Sequence, residues 1–129
     1  MSYSNWLETH SLKHKNIMKK LSHLSDEEVL EYFNYENMKL KEKDFCILYK
    51  DNKKCHNMEN LNCYLCACPN FRVDKTKSFC SIDSKYGAKI ELKDFTHQDC
   101  SNCTIPHHKS YIKKYFNRDW SLIMSKCIV

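Results

Sequence analysis

The chain has 129 residues, 42% hydrophobic and 29% charged, with nine cysteines, one glycine and a formal net charge of +5. That length holds one domain, and that balance suits a globular protein better than a disordered one. The charge falls short of a dedicated nucleic-acid binder, and no apolar run approaches the roughly 20 residues of a membrane span.

Met1 to Trp6 shows no basic stretch leading into an apolar one, so no secretory signal is read and the cytoplasm is the expected compartment. In reducing surroundings clustered thiols serve metals more often than disulfides.

Residues 1–44 read as an N-terminal helical arm, and residues 45–129 as a cysteine-rich metal-binding domain with a C-terminal helix. In the arm, Leu12, Ile17, Met18, Leu21 and Leu24 suggest one apolar stripe. Ser25-Asp26-Glu27-Glu28 is a capping-box pattern that opens a second helix, with Val29, Leu30, Phe33 and Met38 along its apolar side. Phe45 to Tyr49 is a short apolar run expected to form a strand, with Cys46 as a small core residue. Residues 55–88 have no usable periodicity and are expected to be loop and turn held by metal. Lys89 to Lys93 alternates and predicts a second strand, with a turn at Gly87 before it. Thr104 is placed to cap a helix carrying Pro106 in its first turn, with Tyr111, Ile112, Tyr115 and Phe116 on one face. Asp119 is placed to cap a last turn or two through Leu122, Ile123 and Cys127. The fold class expected is α+β: a small, loop-rich, metal-stapled domain with short strands between helical ends.

The middle of the chain is short of apolar residues and rich in sulfur, so burial alone would not offset its conformational entropy. Cys63-Tyr64-Leu65-Cys66 and Cys100-Ser101-Asn102-Cys103 have zinc-knuckle spacing. Two intervening residues let a tight turn aim both sulfurs at one ion about 2.3 Å away, and two such pairs make a tetrahedral set. Cys55, Cys68, Cys80 and either His56 or His107 suffice for a second site. Spacing does not decide how the ligands divide between sites. Zinc is the expected ion; an iron–sulfur cluster is the alternative, suggested by the Cys68-Pro69 ending of the cysteine run. Cys127 reads as a spare thiol. His10, His14, His23, His97 and His108 read as solvated.

Taken together, Cys55-His56, Cys63-x-x-Cys66-x-Cys68-Pro69 and Asp99-Cys100-Ser101-Asn102-Cys103 with Pro106-His107 resemble the cysteine-rich small domain, a zinc-finger-like prokaryotic family. The resemblance covers roughly Phe45 to His107. It implies a metal-binding module without an assigned reaction, and an accessory role beside cobalamin-related enzymes in some relatives.

Two functions follow as expectations. The first is an interaction module whose metal shapes a surface for a protein partner, or for RNA or DNA through the basic and aromatic residues of Lys109 to Arg118. The second is a redox or accessory enzymatic role built on an iron–sulfur cluster. The sequence has no His-x-Glu or His-Glu-x-x-His pattern and no nucleophile with an evident partner, so no catalytic residue is nominated and an enzyme is not expected.

Overall fold

A computed structural model describes residues 3–129. The chain is α+β, with helices at both ends and two small antiparallel strand pairs between them. No described helix is long and apolar enough to cross a membrane.

Helix α1 spans Tyr3–Lys20 and buries His10, His14 and Ile17. With half-buried Tyr3 and Leu7 and buried Leu21, these positions step by four, three, four, three and four, which keeps one helical face inward. Two expectations are corrected: Leu12 of the expected stripe is 59% exposed, and His10 and His14, expected in solvent, occupy the core. His23, His97 and His108 are exposed as expected.

Helix α2 (Asp26–Tyr32) starts at the capping box. The Glu28 N–H donates to Ser25 Oγ at 3.2 Å, and the Ser25 N–H donates to Glu28 Oε1 at 3.1 Å. The expected single helix is broken after Phe33. Asn34 is extended and bridges to Asn62, and helix α3 (Tyr35–Lys41) begins beyond it. The bridge consumes backbone groups that a continuous helix would need.

The strand expected at Phe45–Tyr49 does not form; the segment is a turn running into a 3-10 turn at Tyr49–Asp51. A strand would put Phe45, Ile47 and Tyr49 on one face. Instead Phe45 and Tyr49 are buried with rings 6.4 Å apart, and Ile47 is 80% exposed. Four-residue spacing overrides the apolar run.

The expectation of loop throughout 55–88 is also corrected. Strands β1 (Phe71–Val73) and β2 (Ser78–Cys80) pair with Phe71 opposite Cys80. Asp74 makes their turn by accepting from the N–H groups of Thr76 and Lys77, which holds its carboxyl below the usual range. Strand β3 (Ala88–Glu91) answers the alternation at 89–93 and pairs with β4 (Thr96–Asp99), although all four of its residues are exposed. The hairpins are tied where the Gln98 N–H donates to Ser78 Oγ at 2.7 Å.

Pro106 lies in a separate 3-10 turn, Ile105–His107, before α4 (Lys109–Tyr115). The Thr104 side chain makes no cap there. Asp119 does cap: its carboxylate accepts from the Ser121 N–H at the start of α5 (Trp120–Ile123).

One apolar core joins residues from both halves of the chain. Phe33, Tyr64, Trp120 and Met124 are its large members, with Leu30, Met38, Leu61, Leu65 and Ile112 around them. The His14 ring stacks on Phe33 at 4.9 Å and meets the edge of Tyr64 at 4.7 Å. Neither His14 ring nitrogen has a hydrogen-bond partner. Burial lowers its pKa to about 3 and that of His10 to about 4, so both stay neutral and behave as aromatic packing.

Candidate metal centre

The metal-ligating residue types are hung on the core through residues 61–66. Asn62 is fully buried and satisfied on every side. Its side-chain NH2 donates to the Leu30 carbonyl and to Asn34 Oδ1, its Oδ1 accepts from the Tyr64 N–H, and its own N–H donates to the His107 carbonyl. These bonds fix the start of the first Cys-x-x-Cys turn, where the Cys66 N–H donates to the Cys63 carbonyl at 3.3 Å.

The chain then reverses abruptly. Ala67 and Cys68 both have left-handed backbones, with φ of 88° and 54°. Each such non-glycine residue costs on the order of 1 kcal/mol or more, and such strain gathers at functional sites. Its effect here is to separate neighbours. Cys66 faces a small cavity of about 40 Å3 with Cys46, Cys55, Cys63 and His107. Cys68 faces a cleft of about 430 Å3 with Cys80, Cys100 and Cys103.

Cys55, His56 and His107 bring three donor atoms within 4.8 Å of one another. His107 Nδ1 lies 2.9 Å from the Asn62 carbonyl oxygen, which can only accept, so Nδ1 carries the proton. That leaves the lone pair on Nε2, 3.7 Å from Cys55 Sγ. His56 mirrors it: Nε2–H donates to the Cys100 carbonyl at 3.0 Å, leaving Nδ1 at 3.1 Å from the same sulfur. A carbonyl behind each imidazole is how metal-binding histidines are oriented. Sulfur and nitrogen bound tetrahedrally to one zinc would stand about 3.5 Å apart, given bonds near 2.3 and 2.0 Å. The donor set therefore fits a soft or borderline divalent ion.

Without an ion, burial keeps these sulfurs as neutral thiols. Burial pushes the thiols of Cys55 and Cys100 up to about 11 and those of Cys63 and Cys68 to about 12, with neighbouring sulfurs adding to the rise. Cys66 moves further up for the same reasons. As thiolates they would need a counter-charge, which a divalent cation would supply. The Tyr49 hydroxyl is buried on the wall of the small cavity without a partner of good geometry, and a thiolate at Cys63 would accept from it. Burial also lowers His107 to about 4, keeping the ring neutral as ligation requires.

Every residue nominated from sequence as a ligand lies on these two cavities. The quartet of both Cys-x-x-Cys pairs is not brought together: Cys63 and Cys66 line one cavity, and Cys100 and Cys103 the other. Cys46, read as core, is half-buried on the small cavity instead. Cys127, read as spare, is fully buried behind Cys68, its thiol 3.7 Å from the Cys68 carbonyl. All nine cysteines are free thiols. Three basic side chains of the C-terminal segment pair with acids of α2. Lys109 and Lys113 pair with Glu27, and Arg118 with Asp26 at 2.8 Å.

The class defined by fold and site is a small α+β chain with a cysteine–histidine donor cluster. Comparison with family models, curated proteins and solved structures gave no match.

Proposed function

We infer that the protein is a zinc-binding module that works through a protein partner, with the ion serving as a structural staple. The observation that carries this reading is the pair of imidazoles, each turned by a backbone carbonyl so that its free nitrogen faces Cys55 Sγ. Cys63 or Cys66, both on the same small cavity as Cys55, would supply the fourth donor. An ion held by the full complement of donors has no open position for a substrate, which favours structure over hydrolysis. Lys109, Lys113 and Arg118 already neutralise acids of α2, so a protein surface is a better fit than phosphates. Free thiols in this number suit the reducing cytoplasm.

Elemental analysis of protein purified without added metal tests the reading. Zinc is expected, with loss of bound metal in Cys55→Ser and in His107→Ala. A folded, metal-free protein would overturn it, as would iron with acid-labile sulfide.

A further inference from the structure

We propose that Cys68, Cys80, Cys100 and Cys103 form a second, all-sulfur zinc centre, separate from the one around Cys55, so that the two Cys-x-x-Cys pairs serve different ions. The proposal deepens the reading above and rests on it.

Four structural devices converge on this cleft. The left-handed pair Ala67–Cys68 turns the Cys68 side chain away from Cys66 and into the cleft. The pairing of β1 with β2 sets Cys80 opposite Phe71, whose N–H donates to the Cys68 carbonyl at 3.1 Å. Strand β4 ends at Asp99, whose carboxylate accepts from the Ser101 N–H and shapes the turn that carries Cys100 and Cys103. That turn is closed by the Cys103 N–H donating to the Cys100 carbonyl at 3.0 Å. Ser84 Oγ lies 3.3 Å from Cys103 Sγ, placed to donate to a thiolate.

No carboxylate or imidazole is needed to complete four-coordination here, and tetrathiolate sites are a standard structural zinc geometry. Among the described residues no three of these sulfurs lie within 4.8 Å of one another. An ion would therefore draw them in by cysteine side-chain rotation, for which the 430 Å3 cleft leaves room. His56 marks the boundary between the centres: its ring borders this cleft, its Nδ1 faces Cys55, and its Nε2–H holds the Cys100 carbonyl.

The test is zinc stoichiometry of the full chain and of Cys80→Ser, Cys55→Ser and the double variant. Two equivalents are expected in the parent, one in each single variant and none in the double. One equivalent in the parent that survives Cys80→Ser sinks this centre and spares the first. A double variant that keeps one equivalent shows both cysteines serving the same ion and overturns the partition. A parent chain with no metal sinks the underlying reading as well. Because serine variants can misfold, the cadmium-113-substituted parent supplies an independent measurement. Two resonances are expected, one correlated with cysteine β protons alone and with those of Cys100 but not Cys63. A single resonance, or one shared by Cys63 and Cys100, overturns the proposal.

Discussion

The two ends of the chain and its middle are held together by different means. The helices and residues 61–65 pack around Phe33, Tyr64 and Trp120, each no more than 2% exposed. Between residues 71 and 102 the buried residue is Ser78, a polar one. Two-stranded hairpins are marginal in water without a covered apolar face. One region is held by oil; the other has little of it, and under the proposed reading the four sulfurs around the hairpins would supply its cross-link.

The sharpest way to break this contrast is to strip metal with a strong chelator under reducing conditions. Amide protection of β1–β4 is expected to fall to that of an unfolded chain while α1 and the Trp120 environment persist. Structural zinc contributes apparent free energies of about 10 kcal/mol or more, far beyond what these hairpins could replace. Equal protection of the hairpins before and after chelation would end the distinction.

Phe33→Ala probes the other side. It opens a cavity between His14, Tyr64 and Phe45 and is expected to cost about 3–5 kcal/mol in urea unfolding of the metal-loaded protein. Metal content should not change, since the hydrogen bond from the Cys63 N–H to Phe33 goes to its carbonyl, which alanine keeps.

The smallest effect concerns pH. Above about 6.5 His10 and His14 are neutral in both folded and unfolded chains, and their contribution is complete. As pH falls toward their folded values of about 4 and 3, the unfolded chain takes up protons that the folded one refuses. Stability then drops by up to about 1.4 kcal/mol per pH unit for each ring. His14→Leu should shift stability at pH 7.5 by no more than about 1 kcal/mol, because it removes two unpaired nitrogens along with the ring contacts. Between pH 6.5 and 4 its stability curve should be flatter than the parent's; an unchanged slope would show that His14 carries no such linkage.

The parts of this structure readable from sequence are those written in local chemistry. Ser25 and Glu28 announced a helix start, Asp119 another, and Lys89 to Lys93 a strand. His10 and His14 were also legible, since they continue the step of Ile17 and Leu21; reading histidine as polar hid that. Candidate ligands could be nominated from the cysteine spacing, but their division between two cavities could not. It depends on a left-handed reversal at Ala67–Cys68, and neither residue advertises positive φ as glycine would. The break at Asn34 was hidden for a similar reason, because its cause is Asn62, 28 positions away.

Asn62 has a mechanical consequence. The same residue clasps the end of α2, orders the first cysteine turn and grips the ring that faces Cys55. Those bonds tie the donor cluster directly to the packed core. Under the proposed reading, loss of the ion beside His107 would be felt first at the end of α2 and the start of α3, which hang on this one side chain.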